Sequence, residues 1–221
     1  MPISIIVSYD ATTHDDDALA LGRMLAAAGA TLSLAYVRHS QEYDPRREEI
    51  GVHDAARRLE QGAVWLGAPD IARHVVIDPS TSHGLATLAA AQGAQAVLFG
   101  SDYRTAPGRV EPGGSAQGLL DGGSVAIGVA AAGLRTGANP AITTISVAGE
   151  PDGAAQQTAQ SLAAALGVEL TTGFQADLIV VDSQTGAHDG RVALGGATRA
   201  RLDSARGSVL VLPHNTPLSF S

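Results

Sequence analysis

A Gly/Pro-rich loop near the middle of the chain has the residue types and spacing of a phosphate-binding site. An apolar run ending at Phe99 leads into Gly100-Ser101, and order resumes through Gly113-Gly114-Ser115. Glycine lets the backbone approach an anion closely, and the free N–H groups of a helix N-terminus bind phosphates at strand ends in α/β proteins. The stretch 94–131 therefore predicts the ligand face of an α/β unit.

The elements that must position this loop alternate between strands and helices. Continuous apolar runs rich in β-branched residues predict buried strands, and apolar residues at helical spacing predict helices between them. In the long second helix the predicted apolar stripe is Val52, Ala55, Leu59 and Leu66. Short connections between alternating elements indicate a doubly wound, parallel α/β sheet. The predicted strands are 3–9, 31–38, 74–78, 94–99 and 124–130, and the shorter helices are 15–28, 82–92 and 115–121.

The pattern then starts again after a predicted linker at 134–140. The segment 176–183 parallels 94–101 almost position for position, and Gly195-Gly196 precedes a helix through Arg201. The long helix and third strand of the first half have no counterpart, so we predict a degenerate tandem repeat with a reduced second copy. The predicted domains are 1–133 and 141–221. In the second, strands are predicted at 141–148, 168–172, 176–183 and 208–212, with a helix carrying Ala155, Thr158, Ala159, Leu162 and Leu166.

These residues resemble the universal stress protein family in its tandem form. The resemblance covers residues 3–131 well and 141–213 partially, and it implies an adenine nucleotide alpha hydrolase-like fold. It rests on an aspartate ending strand one, a valine ending strand two, and a fourth strand that runs into a Gly-rich loop closed by Gly-Ser. It also implies ATP or another adenine nucleotide as ligand, with the base and ribose between Asp10 and Val37. The residues implied to form the site are Asp10, Val37, Gly100, Ser101, Gly113, Gly114 and Ser115.

The loop departs from the family pattern in three ways. Tyr103 stands where a second glycine is expected, and using Gly114-Ser115 makes the loop one residue longer. Asp102 and Glu111 are expected to put carboxylates where phosphates would sit, unless Arg104 or Arg109 offsets them. In the second copy Asp182 replaces the opening glycine and Ala197 the hydroxyl residue, so no nucleotide is expected there. The alternative for the first copy is that Asp10 caps a helix, the glycines only form turns, and no cofactor binds.

The resemblance implies a regulatory role in a stress response. One alternative is an interaction module of the same fold that binds no nucleotide. Another is an enzyme of the related adenylating or pyrophosphatase superfamily, whose phosphate loop follows strand one, here at residues 10–13. We expect no enzyme, or at most slow ATP hydrolysis, because no general base or metal cluster is placed for it. The run His14 to Asp17 could suggest a metal site, but adjacent residues of a helix point in different directions and make a poor ligand shell. His39 and His83 are expected at the ligand face.

Composition excludes several other classes. The chain has 221 residues, a net charge of −8, no cysteine and no lysine, all 14 basic residues being arginine. An acidic surface argues against nucleic-acid binding, and without lysine there is no Walker loop or Schiff base. No apolar run is long enough for a membrane span and no export signal is visible, so we expect a cytoplasmic protein. The resemblance also implies that the two halves pack as a pseudo-dimer through 124–130 and 208–212, as dimer partners do in single-domain relatives. We expect the chain to form a homodimer and to have protein partners that the sequence does not identify.

Overall fold

The computed structural model describes residues 2–137, 140–173 and 175–221, which form one sheet between two helical layers. Residues 138 and 139 of the predicted linker lie outside the described residues. The strands are β1 (Ser4–Ser8), β2 (Thr31–Arg38), β3 (Ala72–Ile77), β4 (Ala96–Phe99), β5 (Ala126–Val129), β6 (Thr144–Ala148), β7 (Glu169–Thr171), β8 (Gln175–Val181) and β9 (Arg206–Val211). The helices are α1 (Asp15–Ala26), α2 (Pro45–Leu66), α3 (Thr81–Gln92), α4 (Gly114–Leu120), α5 (Ala154–Leu166) and α6 (Gly196–Leu202), with a 3₁₀ turn at Leu134–Thr136.

The nine strands form one sheet in the order β3-β2-β1-β4-β5-β9-β8-β6-β7. Neighbouring strands run parallel except for β5 and β9, which pair antiparallel with Gly128 opposite Leu210. In each half, chain order departs from spatial order because the first strand of the half lies between its second strand and a later one. The predicted doubly wound α/β class is confirmed.

Helices cover both faces of the sheet. Consecutive residues of β1 point to opposite faces. Ile5 belongs to the core that includes residues of α1, α2 and α5, and Ile6 belongs to the core that includes residues of α3 and α4. Because the strands are buried on both faces, their sequences are continuous apolar runs and do not alternate between apolar and polar residues. The C-terminal segment joins the first layer through Leu218 and Phe220, both buried in the same core.

Two predicted details of the elements are wrong. Val52 on α2 is half exposed, because the buried side of that helix is formed by Ala55, Leu59, Gly62 and Ala63. The first strand of the second half begins at Thr144, not at Ala141. Its preceding N–H groups turn to the Asp177 carboxylate, which accepts from Thr143 N at 2.8 Å and Thr144 N at 2.9 Å.

Asp17 joins the first helix to the connection between the halves. It is fully buried, and its carboxylate accepts bonds of 2.8 Å from Gly133 N, Arg135 N and Arg135 Nη1. A buried carboxylate is stable only when it is paired and hydrogen-bonded, so these contacts fix the path of the chain as it leaves β5. None of the helices in the described ranges has the length and hydropathy needed to cross a bilayer.

Candidate functional site

A cleft of about 270 Å³ opens at the carboxyl ends of β1, β2 and β4. The connections from β1 and β4 leave toward opposite sides at this point, which is where open α/β sheets form ligand sites. The start of α4 closes one side of the cleft. It is lined by Ser8, Tyr9, Asp10, Thr12, Asp15, Ala35, Tyr36, Val37, His39, Thr81, Phe99, Gly100, Gly113, Gly114, Ser115 and Ala116.

The cleft brings together six of the seven predicted site residues, from four separate segments. These are Asp10, Val37, Gly100, Gly113, Gly114 and Ser115. Ser101 is not among the lining residues. It is buried. Its hydroxyl donates to Ala130 O at 2.7 Å, and its own Oγ accepts from Glu111 N at 3.3 Å. Ser101 therefore holds the two ends of the loop against β5.

The glycines of the site have different roles. A Cβ atom on Gly100 would lie 2.1 Å from the carbonyl oxygen of His14, so the end of β4 packs directly on the start of α1. Gly113 and Gly114 have no atom within 4 Å of the corresponding position. Gly100 is thus required by packing, whereas Gly113 and Gly114 leave open space beside the N-terminus of α4.

The first turn of α4 presents unused donors. Gly113 is the N-cap residue, and no side chain caps the helix. The N–H groups of Gly114, Ser115 and Ala116 have no acceptor within the helix, because the first N–H groups of any helix lack one. All three residues line the cleft. A negatively charged group in the cleft could accept several of these hydrogen bonds at once.

The turn between β1 and α1 is organised by Asp15, not by a threonine cap. Its Oδ2 accepts from Asp10 N and Thr12 N, each at 3.0 Å, and from Thr12 Oγ1 at 2.8 Å. Burial raises the pKa of Asp15 above the ordinary carboxyl value. Ala11, inside this turn, has a φ of 59°, which costs an L-residue about 1 kcal/mol. His14 is the N-cap residue of α1 and makes no side-chain capping bond.

Arg58 on α2 is a residue of the site that sequence reasoning missed. Its Nη1 donates to Asp10 O at 2.8 Å and to Asp10 Oδ1 at 2.5 Å, and its Nε donates to Asp54 Oδ2 at 2.8 Å. Its guanidinium carbon lies 5.3 Å from the centroid of the Tyr36 ring. The only sequence signal was the spacing of Asp54 and Arg58 on one helix face, which points to a helix pair and not to Asp10.

The loop 101–112 folds away from the cleft. Asp102 N donates to Glu111 O at 2.8 Å, Ser101 and Pro112 form an antiparallel bridge, and Gly108 N donates to Ala132 O at 2.8 Å. None of Asp102, Tyr103 and Glu111 lines the cleft. The expectation that the two carboxylates occupy the phosphate position is therefore wrong, because the loop closes on itself as a hairpin.

The two histidines expected at the ligand face are placed differently. His39 lines the cleft and is exposed. His83 lies outside the lining, with Nδ1 2.6 Å from Asp78 Oδ2. The hydrogen bond from Ser80 N lowers the pKa of Asp78, and the one from His83 lowers it to a smaller extent. Among the described residues no group of three or more His, Cys, Asp or Glu side chains could hold a metal ion.

The matching position of the second half is filled by a side chain. Asp182 follows β8 as Gly100 follows β4, and its carboxylate accepts from Glu150 N at 3.2 Å and from Ala155 N at 2.6 Å. A Cβ atom on either Gly149 or Gly153 would lie 2.1 Å from Asp182 Oδ2. Burial raises the pKa of Asp182. The carboxylate therefore occupies the space between the end of β6 and the start of α5.

Comparison with solved structures identifies the fold. The chain matches a universal stress protein from Archaeoglobus fulgidus with 14% identity over 95% of this chain and 98% of the other, at a TM-score of 0.59. A functionally unknown protein from Pseudomonas aeruginosa PAO1 matches with 14% identity over 96% and 92%, at 0.61. A protein from P. aeruginosa UCBPP-PA14, provisionally described as a universal stress protein, matches with 14% identity over 96% and 93%, at 0.62.

No family model matches the sequence, and no curated protein does. The strand order and the position of the cleft define an α/β protein with an adenine nucleotide alpha hydrolase-like fold. More narrowly, the chain has the universal stress protein fold, and the predicted resemblance is confirmed at the level of the fold.

Proposed function

We propose that this chain is a universal-stress-type regulatory protein that binds one adenine nucleotide in the first-half cleft as part of a stress response. The observation that carries the proposal is the convergence of Asp10, Val37 and the Gly113-to-Ser115 turn in one cleft at the strand ends. These residues are far apart in the sequence, and the fold brings them together at the carboxyl ends of β1, β2 and β4.

The chemistry of the cleft fits the parts of an adenine nucleotide. The apolar side of Val37 and the Tyr36 ring offer a surface for the base, and Asp10 offers an acceptor for ribose hydroxyls. The free N–H groups at the start of α4 fit a phosphate. A volume of about 270 Å³ is at the lower end for ligand pockets, so the nucleoside would fill the cleft and the outer phosphates would extend over Gly113 and Gly114.

We also propose that the chain is a tandem repeat whose halves pack as dimer partners do. Matching hydrogen bonds support this: Ser101 Oγ donates to Ala130 O and Ser183 Oγ to Leu212 O, both at 2.7 Å. The halves contact each other reciprocally as well. Arg109 Nη1 donates to Asp203 O at 3.1 Å, and Arg191 Nη1 donates to Gly122 O at 3.2 Å. This proposal includes two domains with the predicted bounds 1–133 and 141–221. It also includes a cytoplasmic location and a homodimer.

Calorimetry tests the proposed ligand. We expect purified protein to bind ATP with about one site per chain, and Asp10→Ala to weaken binding by roughly tenfold because it removes an acceptor from the cleft. Glu150→Ala, at the matching position after β6, is the control and is expected to leave binding unchanged. Absence of heat at millimolar ATP in protein shown to be free of bound nucleotide would contradict the proposal.

The second candidate is an interaction module of the same fold that binds no nucleotide. The observation that favours it is the pairing of Asp10 with Arg58, which already satisfies one oxygen of the carboxylate in the free protein. If the chain is such a module, we expect that wild type binds no ATP. We also expect that Asp10→Ala captures a protein partner as well as wild type does. Measured ATP binding that depends on Asp10 would reject it.

A further inference from the structure

Arg58 lies behind the cleft and contacts two of the residues that line it. It bonds to Asp10 through Nη1, lies over the ring of Tyr36, and is anchored on its own helix by Asp54. About one third of its side chain is exposed, and it does not itself line the cleft. Any effect of Arg58 on the orientation of a ligand must therefore act through Asp10 or Tyr36.

The geometry of the pair restricts the Asp10 side chain. Nη1 of Arg58 donates to the carbonyl oxygen and to Oδ1 of the same aspartate, so the two bonds close a ring through its backbone and side chain. An exposed aspartate otherwise samples several rotamers. The second carboxylate oxygen, Oδ2, has no hydrogen-bond partner among the described residues. It is left available to a ligand while the first oxygen is held.

The pair also changes the charge of the cleft. Asp10 and Asp15 both line it, and two carboxylates would repel a phosphate group. Arg58 supplies a permanent positive charge beside Asp10. Arg104 and Arg109 cannot take this role, because Arg104 lies over the Tyr103 ring at 4.8 Å and Arg109 bonds to Asp203 O.

We propose that Arg58 is a positioning residue of the nucleotide site, holding Asp10 in one orientation with Oδ2 toward the ligand and cancelling its charge. The inference rests on the proposed function of the same cleft. It assigns to α2 a part in ligand selection, namely a preference for an anionic nucleotide over its neutral nucleoside.

Two probes, ATP and adenosine, separate the two effects of Arg58 in calorimetric titrations. We expect Arg58→Gln to weaken adenosine binding about threefold, through loss of orientation, and ATP binding about tenfold, through the added loss of charge. Arg57→Gln is the matched control: Arg57 sits on the same helix and pairs with the same Asp54 at 2.5 Å, but its side chain is 79% exposed. It should shift neither affinity by more than about twofold.

A double-mutant cycle tests whether Arg58 acts through Asp10. In an Asp10→Ala background, Arg58→Gln should change adenosine affinity by less than about twofold, because the orientation effect requires Asp10. Arg58→Lys, which keeps the charge but lacks the planar guanidinium, should restore most of the ATP preference without restoring adenosine affinity. Circular dichroism of each variant confirms that it is folded.

Two results would overturn the inference while leaving the proposed function intact. One is an equal loss of adenosine affinity from Arg58→Gln with and without Asp10. The other is tighter binding by Arg58→Gln, which would mean that Arg58 competes with the ligand for Asp10. Failure of wild type to bind either probe would instead overturn the proposed function, and this inference with it.

Discussion

The two halves of the chain satisfy the same backbone group in different ways. In the first half, the N–H that follows the first strand, Asp10 N, donates to the carboxylate of Asp15 on α1. In the second half, the matching N–H, Glu150 N, donates to the carboxylate of Asp182 at the end of β8. Each half uses one aspartate for this purpose, but the aspartate comes from the helix in one and from the strand end in the other.

This difference changes the space at the strand end next to the first helix of each half. With the carboxylate on α1, the strand end can be Gly100, and the cleft beside Gly113 and Gly114 stays open. With the carboxylate on the strand end, Asp182 bonds directly to Ala155 N and packs against Gly149 and Gly153. The start of α5 thus already holds a carboxylate where its first N–H groups could otherwise bind an external anion.

The largest expected effect comes from placing the second-half residue in the first half. Gly100→Asp would force a side chain into the carbonyl oxygen of His14, so we expect a loss of about 3 kcal/mol in the free energy of unfolding and no ATP binding. Urea denaturation followed by circular dichroism measures the stability. Gly114→Ala, where the added methyl group meets open space, is the control. Equal stability of Gly100→Asp and wild type would refute the packing account.

The reverse exchange removes the aspartate of the second half. Asp182→Gly leaves Glu150 N and Ala155 N without their acceptor, and we expect it to destabilise the protein by about 2 kcal/mol. ATP affinity of the first-half cleft should not change. Asp189→Gly, which alters an exposed aspartate in the same half, is the comparison variant. A loss no larger than that of the comparison variant would count against the capping role of Asp182.

A smaller effect concerns backbone strain in the first-half turn. Ala11 has a positive φ, and glycine adopts that conformation without steric cost. Because glycine also gains entropy in the unfolded chain, we expect Ala11→Gly to stabilise the protein by only about 0.5 kcal/mol. Thermal unfolding monitored by calorimetry would detect this as a small rise in Tm. A fall in Tm would show that the strain at Ala11 is smaller than the effect of the entropy that glycine adds to the unfolded chain.

The smallest effect concerns α2, the helix that the second half lacks. Two hydrogen bonds from Arg38 lower the pKa of Glu48 from 4.5 to about 2. A lowered pKa in the folded state stabilises the protein above the unfolded value, and this contribution is lost as the pH falls from 4.5 toward about 2. Wild type should therefore lose more stability than Glu48→Gln over that interval in urea titrations at several pH values. Parallel losses in the two proteins would contradict the assignment.

The sequence could predict the fold because local patterns state it directly. Apolar runs such as ISIIVSY mark strands buried on both faces, and the parallel between 94–101 and 176–183 marks equivalent strands. Errors fell where tertiary contacts outweigh local pattern. Val52 continues the apolar spacing of α2 yet faces solvent. Residues 141–143 have a strand-like sequence but precede the strand, and Thr143 N donates to the Asp177 carboxylate.

The candidate site could be predicted only in part. The residues at strand ends and in glycine turns could be predicted, because parallel strands bring their carboxyl ends to one edge. The direction of the 101–112 loop could not be predicted, since it depends on hydrogen bonds with Ala132 that no local motif encodes. Arg58 was missed for the same reason: its contact with Asp10 joins residues 48 positions apart.

We propose that the first-half cleft binds a nucleotide and that the matching strand end at Asp182 does not. Two-dimensional ¹H–¹⁵N NMR during titration with ATP tests it directly, because every glycine amide reports separately. The account predicts shifts for the amides of Gly113, Gly114 and Ser115 and none for Gly149, Gly195 and Gly196. Matching shifts in both halves, or no shift at millimolar ATP, would contradict it.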